Sequence, residues 1–354
     1  MRILTVVGNR PQFVKAAAVS GPLREQHEEV LLHTGQHHDD SLSRVFFSEL
    51  GLARPDRELG IAGGSNTSQT ARMLAALEPL IAELEPDAVL VYGDTNSTLA
   101  GALAGAQRDV PVVHIEAGMR SFDRAMPEEL NRVLTDHCSQ LLLCSSQTAA
   151  ENLRQEGIGG TIEIVGDVMV DVAERWRPRA RADRAAREAH GVSDGEYLLL
   201  TAHRAGNVDD PARLRALVEL IEALPAPIVF PLHPRTRERL REAGLSPRLE
   251  TLTGLRLTEP LGYAEFSALL STARAVVTDS GGVQKEAYLA GVPCVTLRAN
   301  TEWVETVEAG WNTLVDLDAD AALAALAAER PAQRPQLYGD GRAAERCVEA
   351  IGRL

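Results

Sequence analysis

Ala275-Val276-Val277-Thr278-Asp279-Ser280-Gly281-Gly282-Val283-Gln284-Lys285-Glu286 passes from an apolar run through a glycine turn into a helix-compatible segment that continues to Ala290. A strand that breaks at Asp279 and restarts as a helix aims free backbone N–H groups, and the positive end of the helix, at an anion. The two glycines let a phosphate approach the backbone closely. Glu286, about one turn into the helix, is placed to accept hydrogen bonds from a ribose. An ordinary βα turn has the same outline, so the meaning of this one depends on its surroundings.

Those surroundings are a long alternation of short β-type runs and helical patterns. Strands are expected at 3–7, 29–33, 88–92, 112–115, 141–144 and 162–165, then at 197–202, 227–230, 250–253, 275–278 and 293–297. Gln69–Leu84, Ser97–Gln107 and Ala212–Leu224 carry helical apolar spacing between them. Such alternation predicts an α/β protein with parallel sheets covered by helices on both faces. Two sets of five or six strands predict two doubly wound, Rossmann-like domains. The expected boundaries are 1–168 and 169–340, with a terminal helix over about 341–354 packing back on the first domain. The Arg- and Ala-rich segment Arg175–His190 near the boundary reads as a charged surface helix.

At 354 residues the chain exceeds what one core usually organises. A net charge of −14 argues against nucleic acid or an anionic membrane as partner. A small anionic ligand sees only the local field, and Arg10, Lys15, Arg204 and His233 lie near the expected site turns. Four cysteines, Cys138, Cys144, Cys294 and Cys347, show no metal or disulfide spacing and read as free thiols in a reducing compartment. The chain runs directly into the strand 3–7, without a signal-peptide pattern and without an apolar run of membrane-spanning length, so a cytoplasmic protein is expected.

In open parallel sheets, ligands sit outside the carboxyl ends of the strands. Gly8-Asn9-Arg10-Pro11 follows the first strand, Gly93-Asp94-Thr95-Asn96 the third and Glu116-Ala117-Gly118 the fourth. His203-Arg204 follows the strand 197–202. Asp94 has a local reading as N-cap of the helix near Ser97. Glu116 ends a strand, where a carboxylate has no capping duty, and that favours a functional role. Glu128, in Pro127-Glu128-Glu129, opens a helix with acids in its first turn, as the helix dipole favours. Acids beside basic groups in a dry cleft are the equipment of general acid–base chemistry. No metal set, serine nucleophile elbow or Walker loop is visible, and no cofactor is expected. The residues describe a two-domain enzyme that binds a phosphorylated nucleotide ligand and moves protons.

Taken together, the motifs resemble the bacterial UDP-N-acetylglucosamine 2-epimerases of the non-hydrolysing type. The resemblance is carried by Gly8-Asn9-Arg10-Pro11-Gln12-Phe13-Val14-Lys15, Thr34-Gly35-Gln36-His37, Gly93-Asp94-Thr95-Asn96-Ser97, His114-Ile115-Glu116-Ala117-Gly118-Met119-Arg120, Pro127-Glu128-Glu129-Leu130-Asn131-Arg132, His203-Arg204 and the run Asp279–Glu286. It implies the two-lobed glycosyltransferase-B architecture, with the active site in the cleft between the lobes. By position, Ser280, Gly281 and Gly282 would bind the diphosphate, Glu286 the ribose, and Phe266 would lie against the uracil. Arg10 and His203 would reach the phosphates, with Lys15 in support. Asp94, Glu116 and Glu128, together with His203, match the family's catalytic residues.

The implied reaction is an anti elimination of UDP from UDP-N-acetylglucosamine to 2-acetamidoglucal. UDP then adds back with inversion at C2, giving UDP-N-acetylmannosamine. A homodimer, an aminosugar pathway, and Gln36 and His37 as part of an activator site are further implications. Three positions depart from the family pattern. Ala205-Gly206 precede Asn207 where many relatives carry Glu, Trp303 stands where many have arginine, and no arginine occupies Ala62-Gly63-Gly64-Ser65. The alternatives are a hydrolysing 2-epimerase releasing UDP and free N-acetylmannosamine, a UDP-sugar glycosyltransferase, and a non-catalytic UDP-sugar sensor.

Overall fold

The computed structural model describes residues 1–36 and 51–354. The chain forms two compact units, Met1–Glu174 with Gln336–Leu354, and Arg175–Pro335.

The first unit holds β1 (Arg2–Val7), β2 (Glu28–His33), β3 (Arg57–Glu58), β4 (Ala88–Tyr92), β5 (Val112–Ala117), β6 (Leu141–Cys144) and β7 (Thr161–Ile164). They form a parallel sheet in the order β3-β2-β1-β4-β5-β6-β7. The order reverses between β1 and β4, so loops leaving these two strands diverge and open a crevice at their carboxyl ends. One face of the sheet packs Leu4, Val6, Leu32, Val89, Val91 and Val112 against Met73, Leu77 and Ile81 of the helix Asn66–Leu84, and against Ala100, Ala102 and Ala104 of the helix Asn96–Ala106. The second of these helices comes very close to the sheet because its packed face is built from alanine and glycine. A Cβ on Gly101 would sit 2.9 Å from the Val91 side chain, and one on Gly105 3.0 Å from that of Val89.

The second unit repeats the plan. It holds β8 (Leu198–Thr201), β9 (Ile228–Pro231), β10 (Leu255–Thr258), β11 (Ala275–Thr278), β12 (Cys294–Thr296) and β13 (Asn312–Leu314), in the order β10-β9-β8-β11-β12-β13 and all parallel. Alternate residues feed opposite faces. Leu198, Leu200, Phe230 and Val277 join Leu214, Leu217, Val218 and Ile221 of the helix Pro211–Ala223. Leu199, Val229 and Val276 join Phe266, Leu269, Leu270 and Ala287 on the other face. Covering on both faces is what a parallel sheet requires.

The expected α/β, Rossmann-like class is the observed one. Several local expectations need correction. The run 250–253 is not a strand, because Glu250 ends the helix Ser246–Glu250 and Gly254, at φ +82°, turns the chain into β10 at Leu255. The edge strands β3 and β13 were not anticipated. The charged stretch Arg175–His190 is not one helix: Val168–Ala182 ends, and Asp183 caps a second helix, Arg184–Ala189, by accepting from Ala186 N at 3.2 Å. The last helix, Ala343–Ile351, belongs to the first unit and buries Cys347, Val348 and Ile351. Its first amides, from Ala343 and Ala344, donate to the Asp171 carboxylate at 3.1 and 2.9 Å.

Candidate active site

In the first unit, one side chain stitches together the two strands at which the sheet order reverses. Gln12 accepts from Gly8 N, just beyond β1, at 2.7 Å. Its Nε2 donates to the carbonyl of Tyr92, the last residue of β4, at 3.0 Å and to Thr98 Oγ1 at 2.9 Å. Gly8 has to be glycine, because a Cβ there would run into the hydroxyls of Ser97 and Thr34. Asn9 caps the helix Arg10–Gln26 by accepting from Gln12 N at 3.3 Å, so Arg10 stands in the first turn of that helix at the sheet's carboxyl edge.

Lys15 lies further along the same helix, buried, and forms an ion pair with Glu116. Glu116 is held in an unusual way. It interrupts the register of β5 against β6, between Ile115 and Ala117, as a β-bulge residue. Its φ is +71°, a left-handed conformation that costs a non-glycine residue about 1–3 kcal/mol. Bulges of this sort re-aim a side chain beside active sites. The carboxylate is aimed at Lys15 and at Gly93, where a Cβ would sit 2.9 Å from Lys15 Nζ and 3.1 Å from Glu116 Oε2.

Asp94 does not cap the following helix. Thr95 does so through a reciprocal pair, its Oγ1 accepting from Thr98 N at 3.3 Å while Thr98 Oγ1 accepts from Thr95 N at 3.1 Å. The Asp94 carboxylate turns instead to Arg132, whose Nε and Nη2 donate to Oδ2 at 3.0 and 2.7 Å. Arg132 also donates from Nη1 to Glu129 at 2.7 Å. Glu129 is buried and accepts the amides of Ser121 and Phe122 at 2.9 Å each. Of the two acids after Pro127, Glu129 is therefore tied into the scaffold. Glu128 stands partly exposed in the first turn of the helix Pro127–Cys138, with no hydrogen bond or ion pair among the described residues.

Beneath Glu116 runs a buried polar chain. His114 Nδ1 meets Asp136 Oδ1 and its Nε2 meets the Gly93 carbonyl, both at 2.7 Å. Asp136 also accepts from Arg120 Nη1 at 2.7 Å and from Gly118 N at 3.2 Å. Arg120 closes the chain by a two-pronged contact with Glu156, at 2.7 Å on each prong. Burial alone would raise the Asp136 carboxyl, but His114 and Arg120 outweigh it and hold the group below its ordinary value.

In the second unit, the turn after β11 opens the helix Gly281–Ala290, with Ser280 at its N-cap making no side-chain cap bond. The space beside Gly282 is open, whereas a Cβ on Gly281 would strike the Glu302 carboxylate. Asp279, fully buried, accepts from His203 N at 3.0 Å, Arg204 N at 2.9 Å and Asn207 Nδ2 at 3.2 Å. It thus ties the turn after β8 to the turn after β11, the two strands at which this sheet's order reverses. His203 is half-exposed and stacks on His233, with ring centroids 5.3 Å apart and 27° between planes. Glu286 lies half-buried on the helix. Phe266 is only 5 % exposed and packs in the core with Leu261, Leu269 and Leu270. Trp303 provides the ring under Lys285, whose Nζ lies 4.3 Å from the centroid.

The first unit therefore gathers Lys15, Glu116 and Asp94 at one sheet edge, and the second gathers His203 with the Ser280-Gly281-Gly282 turn. Gln36 spends its side-chain oxygen on Ser97, accepting from N at 3.0 Å and from Oγ at 2.7 Å. His37 lies outside the described residues. Among those described, no group of three or more His, Cys, Asp or Glu is arranged to hold a metal ion. Sequence reasoning missed Gln12, Arg132 and Asp136 as the residues that fix the site. Gln12 and Arg132 stood inside quoted motifs, but nothing local distinguishes a gripping arginine from a solvated one.

Two Rossmann-like units with loops of this kind define an α/β enzyme of the glycosyltransferase-B-like class. A family model described as UDP-N-acetylglucosamine 2-epimerase matches residues 23–352. The chain belongs to that family. It is 45% identical, over all of both chains, to the UDP-2,3-diacetamido-2,3-dideoxy-D-glucuronate 2-epimerase of Pseudomonas aeruginosa. It is 40% identical to the UDP-N-acetylglucosamine 2-epimerase of Methanocaldococcus jannaschii over 99% of each chain. The crystal structure of that archaeal enzyme in complex with UDP-GlcNAc and UDP superposes with a TM-score of 0.94 over all of both chains. The family's matches thus include archaeal as well as bacterial proteins.

Proposed function

We infer that this enzyme interconverts UDP-N-acetylglucosamine and UDP-N-acetylmannosamine without net hydrolysis. The observation that carries this reading is Glu116, a carboxylate set in a strained bulge against Lys15 at the same sheet edge as Asp94. Strain of this kind persists where a side chain has to be aimed. Inversion at C2 needs one group to remove a proton from one face and another to deliver one to the opposite face, and Asp94, Glu116 and Glu128 provide candidates. In the elimination, the C2 proton leaves, C1=C2 forms and the C1–O bond to UDP breaks. Re-addition of UDP at C1 with protonation of C2 from the other face completes the inversion. Ser280, Gly281, Gly282 and Glu286 serve as the grip on UDP, and Arg10, Lys15 and His203 offset the charge that develops on the departing diphosphate. The related archaeal enzyme, crystallised with UDP-GlcNAc and UDP, supports this assignment of ligand class.

The test follows the sugar by NMR in deuterated water. Expected are UDP-N-acetylmannosamine and deuterium at C2 of both nucleotide sugars, without any acceptor. Free N-acetylmannosamine as the main product would replace this reading by the hydrolysing one. The identity to the Pseudomonas enzyme makes UDP-2,3-diacetamido-2,3-dideoxy-D-glucuronate the second compound to assay. A kcat/KM larger for that compound would move the substrate assignment to it.

A further inference from the structure

We propose that Asp136 and His114 are positioning residues that hold Glu116 in its left-handed bulge; this rests on the function proposed above. Glu116 is flanked in sequence by His114 two residues before it and Gly118 two residues after it. Both reach the same carboxylate, His114 Nδ1 at 2.7 Å and Gly118 N at 3.2 Å. One buried anion therefore pins the chain on either side of the strained residue. The other nitrogen of His114 lies 2.7 Å from the Gly93 carbonyl. A carbonyl only accepts, so Nε2 donates there, and this fixes the peptide whose Cα faces Lys15 and Glu116.

His114 and Asp136 are both fully buried, and neither forms part of the expected acid–base set. A buried carboxylate with three partners is costly to assemble and stiff once assembled. Arg120 and Glu156 extend the arrangement outward, Arg120 being almost fully buried and the Glu156 side chain 29% exposed. The clamp thus runs from near the surface, at Glu156, through Arg120 and Asp136 to the residues flanking the bulge. Its job is geometric: it keeps a carboxylate aimed that an unstrained β5 would send elsewhere.

The experiment compares Asp136→Asn, His114→Gln and Glu156→Ala with the natural protein. Melting temperature, UDP affinity by calorimetry, kcat and KM for solvent deuterium incorporation at C2, and crystal structures are measured. For the two inner variants, we expect kcat to fall about 100-fold, with KM and UDP affinity within about 2-fold, as expected when only the reacting group is displaced. In those crystals Glu116 should leave positive φ. Glu156→Ala, a change at the partly exposed end that leaves the core intact, should lower kcat about 3-fold or more by the same route. A kcat unchanged in Glu156→Ala, or UDP affinity and kcat falling together, would overturn the clamp. Glu116 remaining at positive φ in either inner variant would overturn it as well. If the natural protein turned over no UDP-hexosamine, the proposed function would fail, while the conformation of Glu116 in the variants would still decide the clamp.

Discussion

Arg132 grips Asp94 with two nitrogens, Nε at 3.0 Å and Nη2 at 2.7 Å, while its third reaches Glu129 at 2.7 Å. The pair is nearly buried on the arginine side and a third exposed on the aspartate side. A carboxylate oxygen is therefore fixed by a planar fork while the group still meets solvent. Lysine has the charge but not the fork. Arg132→Lys is expected to lower kcat about 100-fold, through misplacement of Asp94, with UDP affinity unchanged. Calorimetry with UDP beside turnover measurements checks this, and a Lys variant of full activity would show that the fork is dispensable.

Gly93 and Gly282 make a matched pair of probes. At Gly93, φ is +64° and a Cβ would press on both Lys15 and Glu116. Gly93→Ala should cost roughly 1–2 kcal/mol in stability from the left-handed backbone alone and abolish most turnover. Beside Gly282 nothing lies within 4 Å, so Gly282→Ala should fold with unchanged stability. If its turn holds the diphosphate, the methyl group intrudes where phosphate must approach, and UDP binding should weaken at least about 10-fold, roughly 1.4 kcal/mol. Unchanged UDP binding in a well-folded Gly282→Ala would remove that residue from the grip.

Asp279 presents acceptors to two backbone amides and an asparagine side chain. Asn at this position keeps the shape but turns one acceptor into a donor facing donors. Asp279→Asn is expected to cost about 1–3 kcal/mol in denaturant unfolding, because buried amides lose their partner. It should also weaken UDP binding, since the turns carrying His203 and Ser280 lose their common anchor. A stable variant with weakened binding and a destabilised variant with normal binding would separate the two effects.

Burial governs the thiols. It pushes Cys144 and Cys294 up to about 12, and Cys347 higher still, and it raises Cys138 as well. Because burial disfavours the thiolate, Cys144, Cys294 and Cys347 are expected to stay protonated and unreactive through neutral and mildly alkaline pH. Ellman's reagent at pH 8 should titrate at most the partly exposed Cys138 in the native protein, and all four cysteines after unfolding. Rapid reaction of two or more native thiols would contradict the burial described.

Much of the architecture was legible because parallel strands buried on both faces write themselves as unbroken apolar runs, as Val89-Leu90-Val91 and Ala275-Val276-Val277 do. The edge strands β3 and β13 escaped for the same reason. Arg57-Glu58 is two charged residues, and Asn312–Leu314 is short and two-thirds polar. The run 250–253 misled because a helix end followed by a glycine turn imitates a strand boundary. At the site, Glu116 was legible by elimination, having no capping duty. For Asp94 the sequence left a local reading as N-cap beside the role at the site; in the fold Thr95, next to it, takes the cap and Asp94 turns to Arg132, a partnership no local pattern announces. Phe266 carries an aromatic ring at helical spacing, and in the fold that ring serves the core. Partnerships such as Gln12 with Tyr92 or His114 with Asp136 span long sequence separations, and no local pattern announces them.

The first unit is discontinuous in sequence: the chain leaves it after Glu174 and re-enters it at Gln336. The second unit is thus an insert, entered within the helix Val168–Ala182 and left again before Gln336. For anyone cutting the molecule, the consequence is asymmetric. A fragment 175–335 carries its own sheet and both faces of its core, whereas a fragment 1–174 lacks the helix Ala343–Ile351 and would expose the residues that helix covers. Stopping the chain short of Gln336 would therefore damage the half that was nominally kept whole. A synthesising ribosome, too, finishes the first unit last.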